Sequence, residues 1–395
     1  MPDFNRRKRI IYIILGIVVL GVIGFWLYRL FAPAVPSAEP QAPVGISGRS
    51  VAVPPTGITE EARPSGIPPL PDLPSIAEQK LIRLTDFAVI SPSLNKTEDK
   101  VLFYKKDGGD LLASDFRGAQ QEKLSNLTIV GLMEAVWSAG RDRAAVFYLD
   151  LDSIKGFLHI GTSSVAILPS GITSAAWSPD GKSLAYLLPK EDLIELVAAD
   201  ASGRNPRTVF RTPLTDSRIA WITPDLFIFS SAPSGLAEGY LFSFSRRDNS
   251  FIRIMGPAFG LTGLWSPDGS AALVSSTGRG GKKSILSLYR RSAAKSEALT
   301  AVTLSEKCAW AGNDTVFCGA ARDIPANVIL PDDYLRGEFS SADRIIAIDV
   351  KTAEVSEVFN EGLFDISSPL VTKDKKYLLF VNRIDGTLWS LKLQF

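Results

Sequence analysis

The chain has one histidine, two cysteines and three methionines among its 395 residues. A Ser-His-Asp or Cys-His enzyme would have to use His159, but this residue lies in a strand-like run at 156–160 and is typical of an ordinary strand position. Two cysteines with no histidine near them do not make a zinc site. We therefore expect no catalytic residue, no metal site and no cofactor, and we interpret the chain as a non-enzyme.

The chain also lacks an excess of either charge. It carries 43 basic and 42 acidic residues, so its formal net charge is +1. A protein that binds nucleic acid through the phosphates usually shows a basic excess or a basic patch. This balance gives no indication of a nucleic-acid partner.

A tryptophan followed by a turn occurs at regular intervals. Tryptophans at 137, 177, 221, 265 and 310 are separated by 40 to 45 residues, and two of them precede identical Ser-Pro-Asp-Gly turns at 178–181 and 266–269. A fixed period of this length indicates a repeat architecture. Each repeat holds about four short strand-like runs, which predicts one β-propeller blade per repeat with the tryptophan in the core between blades.

Two weaker repeats begin near residues 90 and 371, so the sequence predicts an all-β fold of seven blades, with six or eight as alternatives. The last repeat stops at its third strand. We expect residues 80–84 to supply the missing fourth strand, which would join the two ends of the domain and leave no open edge there.

These Trp-Ser-Pro-Asp-Gly turns resemble those of the TolB-like, WD-type β-propellers, and the resemblance covers roughly residues 80–395. It implies a propeller fold and leaves the activity open. The family includes TolB, which binds partner proteins, and the non-catalytic propellers of tricorn and dipeptidyl-peptidase-like proteases.

The N-terminal residues predict a membrane anchor. Residues 1–9 form a basic tail, and residues 10–31 form an apolar stretch that would reach about 33 Å as a helix, which matches a bilayer core. The cations before this stretch predict a transmembrane helix with a cytoplasmic N-terminus and an exported propeller. A cleaved signal peptide with the site Ala32-Pro33-Ala34 is the alternative.

Proline is concentrated in one segment. Residues 32–78 hold 11 of the chain's 25 prolines and show no hydrophobic period. This composition predicts a disordered linker of intermediate stiffness between the anchor and the propeller at 79–395. The expected location is therefore the cell membrane, with a single pass and an extracytoplasmic propeller.

Cys308 and Cys318 flank the turn of the sixth repeat, with Asn313 midway between them. In a hairpin centred there the two residues would face each other at close to the separation that a disulfide needs. Export to an oxidising compartment would favour this bond. Two free buried thiols are the alternative, and a redox or metal role is the least favoured.

The sixth repeat is longer than the others because of an insertion at 321–343. The loop between the second and third strands of a blade emerges beside the central channel, so the insertion can overhang that channel. It mixes aromatic residues with both charge signs, which suits protein contacts. The candidate partner-binding residues are Asp332, Asp333, Tyr334, Arg336, Glu338 and Phe339. The alternative is an elaborated loop that packs on its own blade.

A mostly polar position recurs three residues before each motif tryptophan or its counterpart. These positions should lie on the innermost strands and form a polar rim around the channel. The predicted rim residues are Glu134, Ser174, Arg218, Thr262, Lys307 and Ser368.

These features predict a membrane-anchored propeller that acts as a protein-binding scaffold or receptor in the cell envelope, with another envelope protein as partner. The alternative is a glycan- or ligand-binding sensor, or a hydrolase, with carboxylates at the channel; Glu134, Asp332 and Asp333 are the candidates. Two carboxylates about 5–10 Å apart in one pocket would favour the enzyme. An exposed apolar patch at the insertion would favour the protein partner.

Overall fold

The computed structural model describes residues 80–161 and 164–394. Over these residues the regular secondary structure is almost entirely β-strand, with a 3₁₀ turn at Ser305–Lys307 and one short helix, α1 (Asp332–Arg336). No helix within the described ranges is long and apolar enough to cross a bilayer. The predicted basic tail, transmembrane helix and linker, residues 1–78, lie outside them.

The described residues form six antiparallel sheets, of which five have four strands each. The first sheet in chain order consists of β2 (Val89–Leu94), β3 (Lys100–Lys105), β4 (Leu111–Asp115) and β5 (Gln121–Lys123). The second consists of β6 (Leu132–Trp137), β7 (Arg143–Asp150), β8 (Ser153–Ile160) and β9 (Ser164–Ile167). The third consists of β10 (Ser174–Trp177), β11 (Ser183–Lys190), β12 (Leu193–Asp200) and β13 (Arg207–Thr212).

The sixth sheet has seven strands and follows these three in the chain. It consists of β14 (Ser217–Thr223), β15 (Leu226–Ser231), β16 (Glu238–Ser245), β17 (Ser250–Trp265), β18 (Ala271–Gly278), β19 (Lys282–Arg290) and β20 (Lys295–Ala298). The last two four-stranded sheets are β21 (Cys308–Ala311), β22 (Thr315–Ala321), β23 (Asp343–Asp349) and β24 (Val355–Phe359), and β25 (Ile366–Val371), β26 (Tyr377–Asn382) and β27 (Thr387–Lys392) with β1 (Leu81–Arg83).

One long strand accounts for the seven-stranded sheet. The first part of β17 pairs with β16, from Ser250 to Phe259, and its last part pairs with β18, from Phe259 to Trp265. β17 is therefore the outermost strand of one four-stranded unit and the innermost strand of the next. The sequence predicted two separate blades here, and the structure joins them because no turn interrupts the strand.

The N-terminal strand β1 completes the C-terminal sheet. Leu81 pairs with Leu391 and Arg83 pairs with Trp389 in an antiparallel register. This pairing confirms the expectation that residues near 80–84 supply the missing fourth strand. It covers an edge of β27 that would otherwise present unpaired backbone groups.

The hydrophobic core lies between consecutive units rather than within them. A typical cluster joins Leu158 of one sheet to Trp177 and Leu184 of the next. Another joins Leu379 of the last sheet to Val101 and Phe103 of the first, so the series of packed sheets closes on itself. Each sheet buries both faces in this way, which explains why one repeat alone would not be stable.

Three of the motif tryptophans also contribute a hydrogen bond from the indole N–H group to this packing. Trp137 donates to the carbonyl of Ser91 at 2.8 Å, Trp177 to that of Val136 at 2.8 Å, and Trp310 to that of Leu264 at 3.1 Å. Each acceptor lies on the innermost strand of the preceding unit. The interpretation of these tryptophans as core residues between blades is therefore confirmed.

The Ser-Pro-Asp-Gly turns are held by their own side chains. Ser178 donates to the Asp180 carboxylate at 2.6 Å, the same carboxylate accepts from the Lys182 amide at 3.1 Å, and Gly181 adopts a φ of +69°. The Ser178 hydroxyl hydrogen bond holds the pKa of Asp180 below its usual range. The turn therefore uses the serine hydroxyl, the aspartate carboxylate and the backbone freedom of glycine.

The two cysteines lie opposite each other in the hairpin of β21 and β22. Cys308 and Cys318 are joined by a disulfide, and their Cα atoms are 4.0 Å apart. Both residues belong to the buried core between two units. The single histidine, His159, is also buried, and its Nδ1 lies 2.8 Å from the Tyr104 hydroxyl.

Candidate functional site

The insertion between β22 and β23 packs against several neighbouring units. Its helix α1 begins after Pro331 and ends at Gly337, which adopts the left-handed conformation that commonly ends helices. The Asp332 carboxylate accepts from the Ser234 hydroxyl at 2.8 Å and from the Gly235 amide at 2.6 Å. Both donors lie in the loop between β15 and β16, so the insertion reaches back over the seven-stranded sheet.

This approach is close enough to restrict the sequence of the loop. A Cβ atom at Gly235 would lie 2.3 Å from the Leu330 carbonyl oxygen. The Leu330 amide also donates to the Gly281 carbonyl at 3.1 Å. Only glycine allows two backbones to come this near, so positions 235 and 281 are fitted to the insertion.

Beneath the insertion lies a group of buried or half-buried charged and polar side chains, which we call the ionic cluster. Its members are Lys307, Tyr334, Ser341, Asp343, Asp365 and Arg383. The Lys307 ammonium lies 2.7 Å from Asp343 Oδ2 and 2.7 Å from Asp365 Oδ1. Burial raises the pKa of Asp343 above its ordinary value, although Lys307 opposes the shift.

Tyr334 joins the helix of the insertion to this cluster. Its hydroxyl donates to Asp365 Oδ1 at 3.3 Å. The Lys307 Nζ lies 4.7 Å from the centre of its ring, and the Arg383 guanidinium carbon lies 4.2 Å from it. Cations this close to an aromatic face are attracted to it, and Tyr334 is itself buried.

The six candidate partner-binding residues therefore divide into two groups. Asp332, Asp333, Tyr334 and Phe339 are buried or half-buried against the protein's own surface. Arg336 and Glu338 are exposed and pair with each other at 3.0 Å. The structure thus agrees more with the alternative of an insertion packed on the propeller than with an open contact loop.

The predicted rim residues do not all line one cavity. Glu134, Ser174 and Arg218 line a cavity of about 390 Å³. Arg218 also lines a second cavity of about 150 Å³ together with Thr262 and Glu306. Neither cavity lining includes Ser368, which is exposed elsewhere, or Lys307.

The prediction that Lys307 lies on the channel rim is corrected by the structure. Its side chain is buried in the ionic cluster, whereas the prediction placed it at an exposed mouth. The physical reason is the 3₁₀ turn at Ser305–Lys307, which replaces the start of the expected innermost strand and changes the direction of its side chains. Glu306 faces the cavity instead, and sequence spacing missed it because that spacing assumed a regular strand.

The two cavity carboxylates share one electrostatic neighbour. Burial by the cavity walls raises the pKa of Glu134 and of Glu306, and the positive charge of Arg218 opposes both shifts. Both side chains are nevertheless accessible to solvent. They line separate cavities, and Arg218 lines both. No group of three or more metal-ligating side chains occurs among the described residues.

A different surface carries exposed apolar side chains, and sequence reasoning missed it. We call it the β7–β9 apolar surface; it comprises Val130, Leu149, Leu151, Ile154, Val165 and Ile167. Leu151 is 90% exposed, Ile167 is 89% exposed and Val130 is 77% exposed. All but Ile154 line a groove of about 590 Å³, together with Tyr148 and Phe157.

The β7–β9 apolar surface includes strand β9, which is an open edge of its sheet. This strand lies at the end of the sheet order β6-β7-β8-β9 and pairs only with β8. Val165 and Ile167 alternate with the more buried Ala166, so both apolar side chains lie on one face of an edge strand. The sequence signal was therefore present as alternating apolar residues on a face that the core does not cover.

Consecutive four-stranded antiparallel units that pack face to face, the last against the first, define a β-propeller. Solved structures support this class. Oligogalacturonate lyase in complex with manganese matches with a TM-score of 0.56 at 13% identity, over 80% of this chain and 93% of that chain.

The β-propeller domain of the trilobed protease from Pyrococcus furiosus matches with a TM-score of 0.53 at 11% identity, over 77% of this chain and 95% of that chain. TolB from Acinetobacter baumannii has a TM-score of 0.44 at 15% identity, over 77% of this chain and 62% of that chain. No protein-family model and no curated protein sequence matches the chain. The fold is that of a β-propeller, as the Trp-Ser-Pro-Asp-Gly turns indicated; at these identities the likeness concerns fold alone.

Proposed function

We propose that the chain is a protein-binding scaffold or receptor and that its partner docks on the β7–β9 apolar surface. The exposure of several large apolar side chains around one groove at the edge of a single sheet is the observation that carries this proposal. Contiguous apolar surface of this kind usually marks an interaction site in a soluble domain. The proposal moves the binding face from the insertion, whose aromatic residues are used internally.

The open edge of β9 suggests how the partner binds. An extended segment of the partner would add to β9 through backbone hydrogen bonds, and its apolar side chains would enter the groove beside Leu151 and Ile167. Backbone pairing would supply register, and the groove would supply preference for apolar residues at alternate positions. We therefore propose a partner with an extended, apolar strand rather than a charged surface.

We further propose that the propeller has seven blades. The seven-stranded sheet counts as two, because β17 serves two units, and the other five sheets count as one each. The membrane anchor, the extracytoplasmic location and the envelope partner remain proposals from the sequence. They rest on the basic tail and the apolar stretch at 10–31.

A pull-down with the full-length chain tests the docking surface. The baits would be the natural sequence, a Leu151→Asp/Ile167→Asp variant, and a control Ile252→Asp/Ile285→Asp variant whose residues are also exposed but lie on other strands. We expect a cross-linked protein that the natural and control baits capture and the first variant loses. Equal capture by all three baits would contradict the proposal.

A second candidate function is supported by the channel. Glu134 lines one cavity and Glu306 lines a second, and Arg218 lines both. Such charges are available to a small polar ligand, as a sensor or a hydrolase would require. Oligogalacturonate lyase shows that an enzyme can have this fold. Loss of binding of an envelope glycan fragment in Arg218→Ala, measured by calorimetry, would support this candidate.

A further inference from the structure

Lys307, Asp343 and Asp365 meet in the ionic cluster with their reactive groups in contact. The Lys307 Nζ lies 2.7 Å from Asp343 Oδ2 and 2.7 Å from Asp365 Oδ1, and all three side chains are buried. We propose that Lys307 and Asp343 condense to form an intramolecular isopeptide bond, with Asp365 as the acid–base catalyst. The site would be a covalent modification that the chain makes on itself.

Burial makes this pair different from a surface salt bridge. Burying a charged ammonium and a charged carboxylate away from water costs free energy. This cost favours the neutral pair of amine and carboxylic acid over the ionic pair. Burial raises the pKa of Asp343, which is consistent with that change. A neutral amine is a nucleophile and a neutral carboxylic acid is a far better acyl donor than a carboxylate.

The surroundings of Asp343 suit attack at its Cγ atom. The Ile366 amide donates to Asp343 Oδ2 at 2.7 Å, so it can stabilise the negative charge that forms on that oxygen. Asp343 Oδ1 has no hydrogen-bond partner. It is therefore the oxygen that is free to leave. A Cβ atom at position 319 would lie 2.9 Å from Oδ2, so Gly319 provides the necessary space.

Asp365 is held where a proton carrier is needed. Its Oδ1 accepts from the Ser341 hydroxyl at 3.1 Å and the Tyr334 hydroxyl at 3.3 Å, in addition to its contact with Lys307. The Arg383 guanidinium lies 3.6 Å from its Oδ2. The Tyr334 ring covers Nζ from above, which limits the access of water that would reverse the reaction.

The atoms balance in a single condensation. A proton first moves from the Lys307 ammonium to Asp343 Oδ1, and the neutral Nζ then attacks Cγ. Asp365 removes a proton from Nζ and returns it to the protonated Oδ1, which leaves as water while the C=O bond re-forms at Oδ2. The Nζ–Cγ bond forms, one Cγ–O bond breaks, and Asp365 ends unprotonated, so no oxidant or other reactant is needed.

The bond would join the start of β21 to the end of the insertion. Lys307 directly precedes β21, and Asp343 is the first residue of β23. The link would span the segment that carries both the disulfide hairpin and α1. It would hold the insertion in place even when its hydrogen bonds open.

Intact mass spectrometry of the reduced, denatured full-length chain tests the proposal directly. We expect a mass one water molecule below that of the linear sequence, and a tandem spectrum in which peptides containing Lys307 and Asp343 are covalently joined. The joined peptide is essential because cyclisation of an aspartate to a succinimide also removes one water. A mass equal to that of the linear chain, or a water loss without this joined peptide, would overturn the proposal.

Variants test the roles of the three residues. Asp343→Asn should link by losing ammonia, so its linked product has the same mass as the linked natural chain. Asp365→Asn should remain mostly unlinked, and circular dichroism would check that it is folded. Full linkage in folded Asp365→Asn would show that Asp365 is not the catalyst, and linkage in Lys307→Arg would exclude Lys307 as the nucleophile.

Discussion

At the scale of single residues, the tryptophans show how one side chain fixes the relation between neighbouring blades. The ring fills the space between two sheets, and the indole N–H can reach a carbonyl of the preceding innermost strand. The five copies are not equivalent. Trp177 makes this bond, whereas the Trp265 indole nitrogen is buried without a hydrogen-bond partner.

This difference gives a matched pair of variants. Trp177→Phe should lower the free energy of unfolding by about 1–2 kcal/mol more than Trp265→Phe, because only the first removes a hydrogen bond to a partly buried carbonyl. Both variants lose similar ring volume, so the second controls for packing. Chemical denaturation measures both losses. Equal losses would show that the hydrogen bond contributes nothing beyond the ring.

The carboxylate of Glu134 predicts a dependence on pH. Its pKa is raised in the folded chain by burial, so the folded state holds this proton at a pH where the unfolded state has lost it. The resulting stabilisation is present below the ordinary glutamate pKa and is lost as the pH rises through the folded value.

Glu134→Gln should therefore raise the Tm at neutral pH and leave it nearly unchanged in acid. Differential scanning calorimetry at the two pH values measures this difference. Glu361→Gln, at an exposed loop position, is the control and should change little at either pH. A Tm for Glu134→Gln that is lower than that of the natural chain at neutral pH would contradict the account.

At the scale of elements, the sequence predicted what local chemistry determines. Ser178, Asp180 and Gly181 close their turn with their own hydrogen bonds, and the incomplete last repeat required a strand from elsewhere, which β1 supplies. It did not predict the unbroken β17 or the 3₁₀ turn before β21. Both features depend on how neighbouring units pack. The 3₁₀ turn places Lys307 in the ionic cluster and Glu306 at the cavity.

The disulfide belongs to the same scale because it joins β21 to β22. The bond closes a loop with a sequence separation of 10 residues. Replacing both cysteines by serine should lower the free energy of unfolding by about 2–3 kcal/mol, since the unfolded chain regains the freedom of that loop. Denaturation of the natural chain with a reductant should give a similar loss. No change under either condition would show that the bond adds no stability.

At the scale of the whole molecule, we propose that a membrane anchor carries an exported propeller. If residues 10–31 are an uncleaved anchor, the protein should stay in the membrane pellet after an alkaline wash. Its intact mass should include the N-terminal segment, less any water that the isopeptide bond removes. Release into the supernatant with a mass that begins after Ala34 would support the cleaved signal peptide instead.

The central claim is that the β7–β9 apolar surface receives a protein partner. The most direct measurement is photo-crosslinking in intact cells, with a photoreactive amino acid placed in the full-length chain at position 167, at 252 or at 336. The first position lies on this surface, the second is exposed on β17, and the third lies on the insertion. We expect one discrete crosslinked protein from position 167 and none from position 252 or 336. A crosslink from position 336 alone, or the same products from all three, would contradict the claim.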